Sequence, residues 1–478
     1  MALAVALLLL VIGTILFHFL SPWWFTPIAS NWTMMDDTVN ITFVVTGIVF
    51  VAVNLFMAVA VLRYRHRQGL KAQYAPENKK LEWWLTIVTS LGVAAMLTPG
   101  LFVWAKFVTV PKDAAVVEAV AQQWTWSYRF PGRDGVLGTT DAKLITPDNP
   151  FGIDPKDPKG ADDVLIASQE LHLPVNKPVK VLLRSKDVNH QFAVAQFRVK
   201  MDMVPGMVTY LWLTPTRIGR YDLLCEQLCG LAHFAMRGRV VVDDESTFQT
   251  WLSGKPTYSQ MLAQTAGDSA AGKAAYGVCS ACHGPTGQGN QALNAPRLNS
   301  QAGWYLAKQL RHFKQGVRGA DARDTYAKTM VPMAATLADD TAINNVVAYI
   351  NSLPDEPPAP ATLTGDPIRG KSLYTTCAAC HGNSGEGVWS TNAPRLAHMS
   401  DWYLARQLHN FQQGIRGTHP EDFSGAQMVL MSKILTDERA VNDLLAYIRT
   451  LNGQSAVHAL PPSRTAMASS ESIRRGNQ

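Results

Sequence analysis

Cys225-Glu-Gln-Leu-Cys229-Gly-Leu-Ala-His233-Phe-Ala-Met236 is the stretch on which the reading of this chain turns. Two cysteines four apart on one loop can place both sulfurs between a pair of metals. The histidine four residues on, and the methionine three beyond it, return to the same face. Upstream, Asp187-Val-Asn-His190-Gln-Phe192 offers a second imidazole. Thiolates, imidazoles and a thioether are soft to borderline ligands that favour copper over hard cations. A disulfide or a pair of buried thiols is the alternative for the cysteines alone, but His190, His233 and Met236 in register argue against it. Around this loop, residues 115–242 run in short β-rich segments such as Lys180-Val-Leu-Leu-Arg184 and Arg237-Gly-Arg-Val-Val-Val242, punctuated by turn residues. That pattern predicts an all-β sandwich or barrel.

Working outward to the N-terminus, Ile41 to Leu62 holds no charged residue, and Leu85 to Phe107 is a second long apolar run. At about 1.5 Å rise per residue each can cross a hydrocarbon layer of about 30 Å. The loop between them carries Arg63, Arg65, Arg67, Lys71, Lys79 and Lys80. Basic loops stay cytoplasmic, so a helical hairpin is predicted with everything after about Val110 outside. Residues 2–20 are apolar with no preceding Lys or Arg, and are either a signal peptide or a retained third helix. The whole chain has 478 residues, 47% hydrophobic against 17% charged, and 6 cysteines. Such length predicts roughly three or four domains, and the apolar share excludes disorder as the main state. Six cysteines are too sparse for a disulfide-stapled fold. The net charge of +6, with no basic run interleaved with aromatics, gives no sign of nucleic acid.

The C-terminal two hundred residues are duplicated. Cys279-Ser-Ala-Cys282-His283 recurs as Cys377-Ala-Ala-Cys380-His381, Asn294-Ala-Pro-Arg-Leu298 as Asn392-Ala-Pro-Arg-Leu396, and Trp304-Tyr-Leu-Ala307 as Trp402-Tyr-Leu-Ala405, each at an offset of 98. Each repeat holds one Cys-x-x-Cys-His, the attachment signature of c-type haem. Two thiols add across the porphyrin vinyl groups, and the adjacent histidine supplies the proximal imidazole. The cysteines then divide into two for copper and four for haem. A methionine as sixth ligand raises the potential into the electron-carrier range. Each repeat offers two, Met330 or Met333 and Met428 or Met431, ahead of a helix ending in Ala-Tyr-Ile. His312 and His409 also recur and are read as surface residues.

The copper loop, with its membrane hairpin, resembles subunit II of the haem–copper cytochrome c oxidases over about residues 38–252. The resemblance implies a cupredoxin-like β-sandwich with a binuclear CuA centre. Cys225 and Cys229 would bridge the coppers, His190 and His233 would be terminal ligands, Met236 the weak axial ligand, and Gln227 would contribute its backbone carbonyl. The family carries Glu at the position of Gln227, where the carboxylate also holds magnesium; here the charge is lost and the magnesium with it is in question. Gln123-Trp124-Thr125-Trp126-Ser127-Tyr128 resembles the family's aromatic segment, which implies that Trp124 receives electrons beside CuA; packing of the sandwich is the alternative. Lys200, Asp202, Pro205 and Gly206 follow His190 at the family spacing. Leu81-Glu82, followed by Thr86, resembles the segment opening the second membrane helix, whose acid lies at the mouth of a proton channel; a solvated charge is the alternative for Glu82. The two repeats resemble tandem two-haem class I cytochromes c over about residues 271–451. That resemblance favours Met330 and Met428 as axial ligands.

The expected chain is therefore a multidomain α+β protein. It comprises an apolar segment (1–30), the transmembrane hairpin (38–110), the CuA domain (111–252), a linker (253–268), two all-α cytochrome c domains (269–354 and 367–452), a Pro-rich semi-rigid linker between them (355–366) and a tail (453–478). The resemblance implies the electron-input subunit of a caa-type cytochrome c oxidase in a bacterial inner membrane. Its two covalently bound haems c would feed CuA, and its partners would be the haem–copper subunit I, subunit III, membrane lipid and an upstream donor such as a soluble cytochrome c or a cytochrome bc complex. The same subunit of a CuA-type nitric oxide reductase, or a membrane-anchored carrier without a catalytic partner, are the rival readings. A quinol oxidase subunit is disfavoured because those relatives have lost the copper ligands.

Overall fold

A computed structural model describes residues 2–21, 26–69, 71, 76–146, 149–262, 267–355 and 360–453. The tail after residue 453 and the centre of the Pro-rich linker lie outside these. The chain is mixed α and β, with three apolar N-terminal helices, a β-sandwich and two helical domains. Among the described residues, three helices are long and apolar enough to cross a membrane: α1 (Ala2–Leu20), α2 (Thr33–Arg63) and α3 (Lys79–Val108). Their apolar side chains are largely uncovered by protein, as lipid-facing helices require. The Asn78 side chain caps α3 by accepting from the Leu81 amide at 3.1 Å.

Both hairpin helices run past the apolar stretches read from the sequence. At the start of α2 the reason is contact, which hydropathy does not register. The extra first turn of α2 carries Asp36, which pairs with Arg198 of the β-domain at 2.7 Å. At the end of α3, Trp212 Nε1 donates to the Lys106 carbonyl and Tyr210 Oη to that of Val108, each at 3.1 Å. Trp32, 1% exposed, wedges between Phe107 and Trp212.

The β-domain is two five-stranded sheets. The first holds β1 (Ala115–Gln122), β2 (Thr125–Phe130), β3 (Val164–Ile166), β5 (Val179–Ser185) and β8 (Thr209–Leu213), in the order β3-β2-β1-β5-β8. The second holds β4 (Glu170–Pro174), β6 (His190–Val194), β7 (Val199–Met203), β9 (Gly219–Leu224) and β10 (Arg237–Asp243), in the order β4-β10-β9-β6-β7. Alternating buried positions such as Val179, Val181 and Leu183 face Leu171, Leu223, Val240 and Val242 of the other sheet in one apolar core. The first sheet carries a buried ion network on its strands β1, β2 and β5. Arg129 donates to Glu118 at 2.8 Å and to Asp163 at 2.6 Å, and Arg184 reaches Glu118 at 2.6 Å.

Two helices close this domain, α4 (Glu245–Ser253) and α5 (Tyr258–Leu262). The second lies within the span read as a linker, 253–268. Thr257 bridges Val164, Leu165 N–H donates to the Pro256 carbonyl, and Tyr258 is buried against Phe151 and Ile153. An apolar anchor in a short polar stretch leaves no periodicity to read.

Each C-terminal repeat is a four-helix unit. The first is α6 (Ser269–His283), α7 (Gly303–Lys314), α8 (Thr325–Ala335) and α9 (Asp340–Ser352). The second is α10 (Pro367–His381), α11 (Asp401–Gln412), α12 (Phe423–Ser432) and α13 (Glu438–Ile448). Their cores match: Tyr276, Leu306, Ile343 and Ile350 in one, Tyr374, Leu404, Val441 and Ile448 in the other. First and last helices cross closely because Gly272 and Gly370 lie on the carbonyls of Asn345 and Asp443, where a Cβ would overlap the oxygen.

Removing one member of a buried ion network leaves its partners charged and unpaired. Arg129→Ala should therefore destabilise the β-domain by about 3–5 kcal/mol, read from the urea unfolding midpoint of its near-ultraviolet signal.

Candidate metal centre and haem-binding repeats

β9 and β10 are antiparallel neighbours, with Leu224 opposite Arg237, so the loop between them must leave and return at one point on the sheet. That closure gathers the donors. Cys225 Sγ and Cys229 Sγ lie 3.8 Å apart as free thiols. His190 Nδ1, from the start of β6, is 3.9 Å from Cys225 Sγ, and His233 Nδ1 is 3.3 Å from Cys229 Sγ. Met236 Sδ is 3.8 Å from Cys229 Sγ on the other side. The Gln227 side chain is exposed, while its carbonyl oxygen sits 3.2 Å from Cys225 Sγ. His190, Cys225, Cys229 and Met236 are all buried. The six atoms fit a pair of soft metal ions shared by two sulfurs. The Cys229 thiol and His190 draw Cys225 down toward its thiolate, while the hydrogen bond with Cys225, together with burial, pushes Cys229 up.

The surroundings fix these atoms. Asp187 accepts from His190 Nε2 at 2.8 Å, which leaves Nδ1 free to ligate. The same carboxylate accepts from the Gln123 amide at 2.6 Å. Gln123 Nε2 and Trp124 Nε1 both donate to the Cys229 carbonyl, at 2.7 and 3.1 Å. Gly230, at φ +114°, permits this approach, because a Cβ there would stand 2.7 Å from Gln123 Nε2. Trp124 thus touches the metal loop directly and is 4% exposed. Glu82 lies in the exposed first turn of α3, distant in the chain from any of these groups, with Thr86 Oγ1 bonded to its backbone carbonyl.

In the repeats, Cys279, Cys282 and His283 end α6, and Cys377, Cys380 and His381 end α10. All six line one cavity of about 530 Å³ that runs through both repeats and also touches Met330, Met333, Met428 and Met431. His283 Nδ1 meets the Pro296 carbonyl at 2.7 Å, and His381 Nδ1 that of Pro394, also at 2.7 Å. This is the work of the repeated Asn-Ala-Pro-Arg-Leu, whose role the sequence did not disclose: it holds each ring with Nε2 free. Burial holds both imidazoles below their ordinary value, hence neutral and fit for a metal. Met333 is 43% exposed and Met431 packs outward against the β-domain core. Met330, by contrast, packs inward with Phe313 and Ala327.

Across the two repeats the arginines exchange partners. Arg318 Nη2 donates to Tyr403 Oη at 3.0 Å, and Arg416 Nη2 to Tyr305 Oη at 2.8 Å. The Nε atoms of both arginines are buried without a hydrogen-bond partner. Two orphaned cationic donors on the cavity wall fit the anionic carboxylates of a haem pair. His409, half-buried, pairs with Glu438 at 3.0 Å. His312 does not behave as a surface residue: it is half-buried, and burial beside Lys308 pushes it down to about 4.

The second repeat also packs on the metal loop. Cys380 Sγ lies 3.9 Å from the Gln123 carbonyl, and Gln427 joins the Trp124 carbonyl to Gln169. Asn392 bonds the Ala167 carbonyl. Ala379, Leu430 and Met431 pack against the β-domain core.

The sequence profile of the cytochrome c oxidase subunit II periplasmic domain matches residues 115–244. That of cytochrome c matches twice, over residues 269–354 and 368–452. An alternative cytochrome c oxidase subunit 2 of Bradyrhizobium diazoefficiens is 58% identical over 266 residues, covering 56% of this chain and 96% of that relative. Cytochrome c4 of Azotobacter vinelandii is 33% identical over 169 residues, 32% of this chain and 77% of that relative. Among solved structures, reduced cytochrome c4 from Pseudomonas stutzeri is 27% identical, with a TM-score of 0.31, over 39% of this chain and 100% of that one.

Loss of a residue that orients a metal-binding histidine commonly costs about 10–100-fold in metal affinity. Asp187→Ala should therefore lower copper retention by about that factor in competition with a chelator, with the haem content unchanged.

Proposed function

The chain belongs to the cytochrome c oxidase subunit II family, here joined to two cytochrome c domains, and from that footing we propose that it is the electron-input subunit of a bacterial oxidase with a binuclear CuA centre. Membership makes it part of a haem–copper oxidoreductase complex with an electron-input role, anchored by apolar helices with its β-domain on the periplasmic side. The observation that carries the finer reading is the 3.8 Å approach of the Cys225 and Cys229 sulfurs, with two imidazole nitrogens, a thioether and a carbonyl around them. Cys225 and Cys229 would bridge two coppers, with His190 and His233 as terminal ligands and Met236 and the Gln227 carbonyl as weak ones. Cys279 and Cys282 would attach one haem c, and Cys377 and Cys380 the other, with His283 and His381 proximal and Met330 and Met428 distal. When bound, these groups supply reversible one-electron chemistry, delivering electrons through the copper centre to an oxygen-reducing, proton-pumping subunit I.

The residues of this chain do the positioning. Asp187, Pro296 and Pro394 fix which imidazole nitrogen faces each site. Arg318 and Arg416 would neutralise the haem carboxylates where the repeats meet. Trp124, bonded to the Cys229 carbonyl, links the metal loop to the second repeat. The boundaries 38–110, 111–252, 269–354 and 367–452 serve as the working division into hairpin, copper domain and two cytochrome domains. Subunit III, an upstream cytochrome and the inner membrane complete the assembly we envisage, and Glu82 is assigned to a proton inlet shared with subunit I. The relatives' own description as oxidase subunits favours this reading over a nitric oxide reductase.

Cys225→Ser should abolish the mixed-valence copper signal in the paramagnetic spectrum while both c-haem absorption bands persist; a surviving signal refutes the ligand set. Met330→Leu or Met428→Leu should each remove one methionine–iron charge-transfer band, whereas Met333→Leu and Met431→Leu should leave both. The reverse pattern would move the axial assignment by one helical turn.

A further inference from the structure

The second repeat reaches the metal loop along two lines, one from the helix of its attachment cysteines and one from the helix of Met428. On the first line, Cys380 Sγ lies 3.9 Å from the Gln123 carbonyl, and the Gln123 side chain donates to the Cys229 carbonyl at 2.7 Å. One residue thus spans from a haem-attachment cysteine to a cysteine of the metal loop. On the second line, α12 packs on the His233–Ala235 turn of that loop. Gln427, the residue before Met428, donates to the Trp124 carbonyl and accepts from Gln169, which also donates to Thr125 Oγ1 at 3.1 Å. Its buried amide therefore clamps the Gln123-Trp124-Thr125 segment onto the second repeat. Among the described residues the first repeat has no counterpart of this clamp. Thr329, Ala281 and Met333 stand where Gln427, Ala379 and Met431 do, and all three are exposed, so none is buried against the β-domain. The first repeat meets the second instead. Lys308 Nζ donates to Asn392 Oδ1 at 3.1 Å, and Asn392 in turn bonds the Ala167 carbonyl of the β-domain. The order in space is first repeat, second repeat, copper loop.

We propose that the two haems act in series, with Gln427 as the positioning residue for the last transfer. The second repeat's haem is the immediate donor to copper, and the first repeat's haem reaches copper only through it. Each transfer moves one electron and changes no bond. The second iron passes from ferrous to ferric as the mixed-valence copper pair is reduced, and the first iron then reduces the second. Electron tunnelling falls steeply across empty gaps and is carried better by bonds and hydrogen bonds. Between Cys380 and Cys229 the 3.9 Å contact at the Gln123 carbonyl is the one step made through neither. Gln427 sets that gap, because it ties the next carbonyl of the chain, that of Trp124, to the helix carrying Met428. A parallel arrangement would need a comparable path from Cys282, which is exposed where Cys380 is half-buried. This inference rests on the electron-input reading and adds the order of the haems and a residue that enforces it.

The test uses the intact complex in detergent and needs no turnover. A paramagnetic iron speeds the relaxation of a neighbouring copper spin, and does so more steeply the closer it lies. In each repeat the methionine whose replacement by leucine removes a sulfur–iron band is used to alter the spin state of that iron alone. The microwave power that saturates the oxidised copper signal should then change for the second repeat's variant and stay at the parent value for the first's. Equal changes, a change for the first repeat only, or no change in either would overturn the serial order. For Gln427, one electron is injected by a photoexcited ruthenium dye, and haem and copper are followed optically. Gln427→Met keeps the size of the side chain and removes its amide. It should slow haem-to-copper transfer by about tenfold or more, as misplacement of a reacting pair does, with the midpoint potentials and the copper saturation power unchanged. Thr329→Ala, at the equivalent place in the first repeat, should leave that rate unchanged. A Gln427→Met rate within about twofold of the parent would overturn the positioning role. So would a slow rate accompanied by a changed copper saturation power, which would make Gln427 a docking residue only. Absence of the copper signal or of a c-haem band in the parent complex would refute the electron-input reading itself, and so is distinguished from either outcome.

Discussion

The pairing of Leu224 with Arg237 governs this molecule. Because the two strands are hydrogen-bonded neighbours, the residues between them have no freedom to travel, and the loop has to fold on itself. The side chains of Cys225, Cys229, His233 and Met236 then point at each other. The four donors of the loop become a cluster only a few ångströms wide, and the His190 ring arrives from β6, the neighbour of β9 in the same sheet. The sandwich core beneath, with Phe192, Leu223 and Val240 buried in it, holds that geometry.

The metal cluster was legible because metal chemistry demands particular atoms at particular spacings, and Cys225, Cys229, His233 and Met236 lie within one short run. The duplication was legible because a constant offset needs no structural knowledge. What could not be read is everything carried by backbone atoms or by contacts between distant segments. The Pro296 and Pro394 carbonyls orient the proximal rings, yet any residue has a carbonyl, so the repeated motif gave no hint of its task. The exchange of arginine partners between Arg318 and Arg416 depends on how two domains meet. His312 was misread because its helix face, polar in composition, turns toward the other repeat and not toward water. The start of α2 was cut short for a related reason: Asp36 there binds Arg198 of the β-domain, and the helix begins before its apolar centre.

Duplication followed by divergence of one face gives the two cytochrome units different neighbours while sparing their interiors. Tyr276 and Tyr374 still bond the carbonyls of Gly284 and Gly382, and the helix-crossing glycines are retained in both. Interior packing tolerates little change in volume, whereas a surface can trade threonine for leucine at small cost to stability. The seam between the second repeat and the copper domain sets the side-chain amides of Gln169, Asn392 and Gln427 beside the apolar contacts of Ala379, Leu430 and Met431. Amides can both give and receive hydrogen bonds, so such a seam tolerates small slips of register better than an apolar knob would.

The wedge of Trp32 between Phe107 and Trp212, with the Asp36–Arg198 pair beside it, has a mechanical consequence. The β-domain rides on the membrane helices as a head on a rigid neck, not as a float on a string. Any rocking of α2 and α3 in the bilayer is then carried into the soluble domain as a whole-body tilt, and the copper loop and the repeat bound to it swing together.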